Sequence, residues 1–142
     1  MAAEDRRAFF REVVALAPMA TGGNLPYRRL CKEFGAGLTC SEMILADKLV
    51  KGGERPLLRA HPSEDRFGIQ FTGKHEDVLA EAARIAVDHG ARFLDLNFGC
   101  PIDLVVRRGS GAALLKKPGR LARLVAAVRA AVDVPLSVKI RL

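Results

Sequence analysis

The sequence predicts an α/β fold built on a parallel sheet, and two observations support it. Short segments that are almost continuously apolar alternate with longer segments of helical periodicity. Strands covered on both faces by other elements have this continuously apolar character, which is typical of parallel sheets. Of the 142 residues, 49% are hydrophobic, enough to build a substantial core.

Five apolar segments are predicted strands. They are Val13–Pro18, Leu38–Met43, Phe67–Phe71, Phe93–Phe98 and Leu136–Arg141. Helices are predicted between them, from Pro26 to Phe34, from Glu76 to His89 and from Pro118 to Val132. Pro118 is suited to a first helical turn, and Asp133-Val134-Pro135 ends the last helix before the fifth strand.

Two architectures contain such a sheet, an open doubly wound sheet and a (β/α)8 barrel of the TIM type. The glycines at 22 and 23 do not form the glycine-rich fingerprint that the open fold carries after its first strand. Polar residues instead recur at the carboxyl ends of the strands, where barrel enzymes place their active sites. These residues are Ser41, Glu42, Gln70, Asn97, Cys100, Lys139 and Arg141. The barrel is therefore favoured.

A complete barrel needs about 250 residues. We therefore expect residues 13–142 to be a partial barrel of about five β/α units, preceded by an amino-terminal extension at residues 1–12. The chain is then expected to be a fragment.

Composition limits the function classes. A net charge of +7 suits polyanionic partners such as RNA without demonstrating them. No membrane-spanning run, signal peptide or acid-poor transit peptide is found, so we expect a cytoplasmic protein, with the nucleus as an alternative. The three cysteines are odd in number and lack metal-like spacing, which argues against disulfides and a metal site.

Cys100 is the first candidate for chemistry, because it follows a predicted strand and lies between Gly99 and Pro101. A thiol in this place can donate a proton, act as a nucleophile, or simply be a small buried residue. Cys31 and Cys40 are expected to belong to the core.

Gln70 and Asn97 are amides on otherwise apolar strands, and Lys139 is a cation on a strand expected to be buried. A buried amide needs hydrogen-bond partners, either from a flat heteroaromatic ligand or from the protein itself. A buried cation needs an anionic ring, a phosphate or an ion pair, or it serves as a Schiff-base lysine.

Six segments, taken in order, resemble the tRNA-dihydrouridine synthases. They are 16–19 (LAPM), 41–43 (SEM), 70–73 (QFTG), 95–101 (DLNFGCP), 109–115 (GSGAALL) and 138–141 (VKIR). Segments 23–31 (GNLPYRRLC) and 100–105 (CPIDLV) look most like the eukaryotic branch that acts on position 47 of tRNA.

The resemblance implies a monomeric FMN enzyme that reduces the C5–C6 bond of a uridine in tRNA and is recharged by NADPH or NADH. Pro18 and Met19 would lie under the flavin, Gln70 and Lys139 at its polar edge. Asn97 would orient the uracil, and Cys100 would protonate C5 while the flavin gives hydride to C6.

The family's later histidine, phosphate-binding loops and helical domain have no counterpart before Leu142. We therefore expect the isolated chain to bind FMN weakly and to be inactive. Three other functions remain open: a dihydroorotate dehydrogenase-like or ene-reductase flavin barrel, a Schiff-base aldolase that uses Lys139, and a non-catalytic tRNA-binding product.

Overall fold

The structure of the chain is a computed structural model that describes residues 3–142. Its helices and strands alternate over most of that length. In chain order they are α1 (Ala3–Ala8), α2 (Leu25–Glu33), β1 (Thr39–Cys40), β2 (Ile44–Leu45), α3 (Ala46–Val50), β3 (Phe67–Thr72), α4 (Glu76–Asp88), β4 (Phe93–Asn97), α5 (Asp103–Val106), α6 (Pro118–Ala131) and β5 (Leu136–Lys139). Two 3₁₀ helices, Arg55–Leu58 and Gly111–Lys116, complete the set.

All strand pairs in the sheet are parallel. The order is β1-β3-β4-β5, and β2 also pairs with β3. In this register Gln70 lies opposite Asp95, and Asp95 lies opposite Ser137. The predicted α/β fold with a parallel sheet is confirmed, whereas closure into an eight-stranded barrel stays a prediction.

One face of the sheet packs against helices. Ile69 and Phe71 of β3 and Leu94 and Leu96 of β4 are fully buried in a cluster that also contains apolar residues of the helices. The helical residues are Leu49 of α3, Leu79, Ala82, Ala83 and Ala86 of α4, and Leu124 and Val128 of α6. Alternation along a strand sends every second side chain to this face, so the intervening residues face the other way.

On the other face, near the amino ends of the strands, Phe93 packs with Leu38 and Cys40. Phe9 and Phe10 cover this cluster, with ring centroids 5.9 and 5.4 Å from that of Phe93. The predicted extension at residues 1–12 thus contributes to the core. Met1 and Ala2 lie outside the described residues.

The first two predicted strands differ from the structure. Val13–Pro18 contains only an isolated parallel bridge between Ala15 and Leu38, and Val14 is exposed. Leu38–Met43 was predicted as one strand, but the chain forms β1 and β2 instead. Three residues, 41–43, separate these strands, while only two residues of β3 separate their partners, so Glu42 lies in a bulge.

The predicted helices are confirmed to within two residues as α2, α4 and α6. Asn24 caps α2, because its side-chain oxygen accepts the backbone N–H of Tyr27 at 3.1 Å. The short helices α1, α3 and α5 were not predicted, since a single turn leaves too little periodicity to detect. Among the described residues, no helix combines the length and apolarity needed to cross a membrane.

Candidate active site

A row of hydrogen-bonded polar side chains crosses the sheet on the face opposite the helices. Gln70 donates from Nε2 to Asp95 Oδ2 at 2.6 Å, and Ser137 Oγ donates to Asp95 Oδ1 at 2.6 Å. Asn97 Nδ2 donates to Gln70 Oε1 at 3.0 Å. The register places Gln70, Asp95 and Ser137 side by side on β3, β4 and β5, so neighbouring side chains meet directly.

The Asn97 amide continues this row to Cys100. Its Oδ1 accepts the backbone N–H of Gly99 at 3.1 Å and that of Cys100 at 2.9 Å. An Asn that bonds the backbone two and three residues ahead fixes a turn. Because Oδ1 must accept there and Nδ2 must donate to Gln70, the orientation of the amide is determined. The orientation of the Gln70 amide is determined in the same way, because its Nε2 donates to the Asp95 carboxylate and its Oε1 accepts from Asn97.

The backbone of Cys100 is also held from the side of the following loop. Its carbonyl oxygen accepts the N–H of Ala112 at 3.0 Å. Gly111 has a φ of +58°, and a Cβ at that position would lie 2.7 Å from the Cys100 oxygen. Only glycine permits this conformation and this close approach. The Cys100 side chain itself is partly exposed.

Lys139 differs from the expectation of a buried cation. It lies opposite Asn97 in the register and two residues beyond Ser137, so it belongs to the same face. Its side chain is exposed, however, and Nζ donates to the carbonyl oxygen of Ile140 at 3.1 Å. The reason is that β5 is the last strand in the sheet order, and its residues are only partly covered.

Pro18 and Met19 lie on a separate loop. The carbonyl oxygen of Met19 accepts the N–H of Gly23 at 2.8 Å, and Glu42 Oε2 accepts the N–H of Thr21 at 2.9 Å. The Met19 side chain is exposed, whereas Pro18 is half-buried. Direct hydrogen bonds thus join Gln70, Asn97 and the Cys100 backbone, while this loop is fixed by Glu42 from the bulge between β1 and β2.

Asp95 belongs to the hydrogen-bonded row of the candidate site, and sequence reasoning did not single it out. Its side chain is only 8% exposed, and it accepts from two donors in the row. A signal was available, since Asp95 is an acid on an apolar strand and lies two residues before Asn97, on the same face.

A buried ion pair anchors the loop that carries Met19. Arg28 Nε donates to Glu64 Oε1 at 2.8 Å, and Arg28 Nη1 donates to the Gly23 carbonyl at 2.9 Å. Burial by itself raises the pKa of Glu64, but hydrogen bonds from Arg28, the His61 N–H and the Thr39 hydroxyl outweigh it. The net pKa of Glu64 is therefore below its ordinary value.

The other two cysteines differ in burial. Cys40 is buried as expected, and burial together with the charge of Asp95 raises the pKa of its thiol well above the usual range. Cys31 is only half-buried, contrary to the expectation of a core residue, because it lies on a face of α2 that neighbours exposed residues. All three cysteines are free. Within residues 3–142, no three His, Cys, Asp or Glu side chains are grouped so that they could hold a metal ion.

Comparison with known proteins identifies the family. A relative from Oryza sativa subsp. japonica, named tRNA-dihydrouridine(47) synthase [NAD(P)(+)]-like, is 46% identical over 93% of this chain. Similarly named proteins from Coprinopsis cinerea and Homo sapiens are 45% and 42% identical over 97% of it. The chain spans about a fifth of the length of these curated relatives. The sequence model of the dihydrouridine synthase family matches residues 15–142, and the chain therefore belongs to that family.

Proposed function

We propose that this chain carries part of the active site of a tRNA-dihydrouridine synthase, which reduces the C5–C6 bond of a uridine in tRNA at position 47. The names of the relatives support the reaction, the position and NAD(P)H as reductant. The observation that carries the proposal is the hydrogen-bonded row ending at Cys100, because it gives a partly exposed thiol a fixed place beside an amide. In the proposed protein, the five parallel strands form part of a (β/α)8 barrel.

The described residues fit a flavin at this site. Lys139 uses one of its three N–H groups on a backbone carbonyl, so two remain for a ligand. Met19 presents an exposed thioether beside Pro18. Gln70 is 2% exposed, yet its amide keeps one N–H and one lone pair after its bonds to Asp95 and Asn97.

We propose that Pro18, Met19, Gln70 and Lys139 hold FMN, which when bound supplies the hydride for C6 of the uracil. The Lys139 ammonium adds positive charge where the reduced ring becomes anionic, and such preorganised charge is a strong source of stabilisation.

Asn97 and Cys100 act on the uracil in this proposal. Asn97 retains one N–H on Nδ2 after bonding Gln70, and this N–H orients the base. Cys100 Sγ donates its proton to C5, and the Asn97 contacts to the backbone keep the thiol in place. The target base must leave its stack in the tRNA to reach these groups.

Deletion of the gene tests the proposed function. We expect tRNA from the deletion strain to lack dihydrouridine at position 47 and to keep it at other positions, with recovery when the wild-type gene is restored. Mass spectrometry of nuclease-digested, purified tRNA species measures this. Unchanged dihydrouridine at position 47 would contradict the proposal, and loss at another position would reassign the target.

A further inference from the structure

A cavity of about 480 Å³ lies beside the candidate site, at the carboxyl ends of β2 and β3. Thr72, the last residue of β3, lines the cavity and donates from Oγ1 to the carbonyl oxygen of Asn97 at 3.0 Å. Thr72 therefore joins the wall of the cavity to the backbone of Asn97 in the hydrogen-bonded row. The cavity volume lies within the range of small-ligand sites.

The charged groups that line the cavity are mostly basic. Lys51, Lys74, His75 and Arg108 contribute to its wall, and Asp47 is the one acidic residue among the lining residues. Asp47 lies 3.8 Å from Arg108, so these two charges largely offset each other. Within residues 3–142, no hydrogen bond or ion pair engages the side chains of Lys51, Lys74 or His75.

Neutral hydrogen-bond donors also line the cavity, and like the basic side chains they suit an anionic ligand. Ser110 is 6% exposed and lines the cavity, and no group in the described part of the chain hydrogen-bonds to its hydroxyl. Helix α4 starts after His75 without a side-chain cap, and Val78 of its first turn also lines the cavity. Uncapped first-turn N–H groups favour an anion. Glu76 and Asp77 of the first turn oppose this field. Glu76 is paired with Arg123 at 3.2 Å, and Asp77 is exposed and does not line this cavity.

We propose that this cavity binds a phosphate group of a nucleotide ligand through Lys74, Lys51, His75 and Ser110. Two unpaired lysines, the hydroxyl of the buried Ser110 and an uncapped helix start together form a set of hydrogen-bond donors that suits phosphate oxygens, and Asp47, the acid among the lining residues, is paired with Arg108. The phosphate has two possible carriers, the RNA backbone beside the target base and the nicotinamide dinucleotide. Only the choice of carrier rests on the proposed function, since the phosphate site itself follows from the cavity.

Inorganic pyrophosphate is the first probe, titrated into the full chain by calorimetry at low salt. We expect saturable binding that Lys74→Gln weakens about tenfold, because a charge-assisted hydrogen bond is lost. Lys117→Gln is the matched control, since Lys117 is exposed and lies outside the cavity. Absent binding, or equal weakening by both substitutions, would overturn the proposal.

Competition against bound pyrophosphate then identifies the carrier. Displacement by a tRNA transcript that depends on Lys74 assigns the site to the RNA backbone, and displacement by NADPH that depends on Lys74 assigns it to the dinucleotide. Displacement by neither contradicts a nucleotide phosphate. These measurements need no turnover, so their outcome does not depend on the proposed reaction. A failure of the phosphate site can therefore be distinguished from a failure of the proposed function.

Discussion

The two ends of one sheet face are built from different interactions. At the amino end, Phe93 packs with Leu38 and Cys40 under the rings of Phe9 and Phe10. At the carboxyl end, two residues further along β4, Asp95 begins a row held entirely by hydrogen bonds. Strand β4 contributes to both ends through the alternating positions of Phe93 and Asp95.

The difference shows how one strand can combine stability with chemistry. Apolar packing at the amino end removes water and contributes free energy in proportion to the area buried. The polar end contributes less net stability, since its hydrogen bonds replace bonds to water, but it determines the orientation of each amide. The substitutions below separate these two contributions.

The largest loss of stability is expected at the apolar end, for Phe93→Ala. Phe93 is 2% exposed, and its ring fills the space above Gly68, where a Cβ would lie 2.1 Å from the ring. Removing the ring should lower the free energy of unfolding by about 3–5 kcal/mol. Urea unfolding measures this, and Val14→Ala at an exposed position is the control. A loss below about 1 kcal/mol for Phe93→Ala would contradict this assignment of the core.

The buried ion pair between Arg28 and Glu64 is expected to be essential for stability. Arg28→Met leaves the Glu64 carboxylate buried and unpaired, so we expect a loss of about 3–5 kcal/mol. Lys32 on the same helix pairs with the exposed Asp65, and Lys32→Met should cost less than about 1 kcal/mol. Similar losses in the two variants would show that burial of the pair is unimportant.

The pH dependence of stability provides a separate test of Glu64. Because its folded-state pKa is lowered, the carboxylate stabilises the fold above its ordinary pKa. That contribution is lost as the pH falls from the ordinary value through the lowered one. Glu64→Gln should therefore lose less stability than the wild type between neutral and acidic pH. Parallel stability curves for the two proteins would contradict the ion-pair account.

At the polar end, Asp95→Asn should destabilise the chain by about 1–3 kcal/mol, because the buried Gln70 and the partly buried Ser137 lose a carboxylate acceptor. The larger effect should be on orientation, since Gln70 no longer has a fixed amide direction. Nuclear magnetic resonance of the Gln70 and Asn97 side-chain amides measures this directly. Ser137→Ala, which leaves the Gln70 bond intact, is the control, and unchanged amide signals in Asp95→Asn would contradict the role given to Asp95.

The smallest structural effect is expected for Cys100→Ala, within about 1 kcal/mol, because the thiol is partly exposed and its backbone supplies the contacts. In a Cys31→Ser background, a maleimide should modify Cys100 quickly and Cys40 slowly. Cys40 is buried, and its raised pKa leaves little thiolate near neutral pH. If fast labelling persists in Cys100→Ala, the rapidly modified thiol is not Cys100, which would contradict its assignment as the more accessible cysteine.

Sequence patterns predicted β3, β4 and β5, and they failed at the opposite edge, where the first two predicted strands differ from the structure. Strands β3 and β4 are buried on both faces, so their apolar runs correspond closely to the observed bounds. Val13–Pro18 has an equally apolar run but forms only one bridge. Composition reports how apolar a segment is, and it does not report how many neighbours the segment has.

The difference between composition and neighbours also explains which residues of the candidate site could be predicted. Gln70 and Asn97 were found because polar residues on apolar strands are conspicuous, and Cys100 because it follows a strand between Gly99 and Pro101. The structure joins the two amides and the Cys100 backbone by hydrogen bonds. Asp95 carried the same signal, an acid on an apolar strand, but its hydrogen bonds to Gln70 and Ser137 could not be predicted, because cross-strand register is not visible in one sequence. Lys139 was expected to be buried for the same reason, since its exposure depends on the position of β5 in the sheet.

The central claim is that Cys100 donates the proton in uridine reduction. Cells lacking the gene, complemented with the wild-type, Cys100→Ala or Cys31→Ala gene, allow dihydrouridine at position 47 to be followed after induction. We predict that Cys100→Ala slows its accumulation by about a hundredfold or more, at equal protein level, while Cys31→Ala matches the wild type. Accumulation at the wild-type rate with Cys100→Ala would contradict the account.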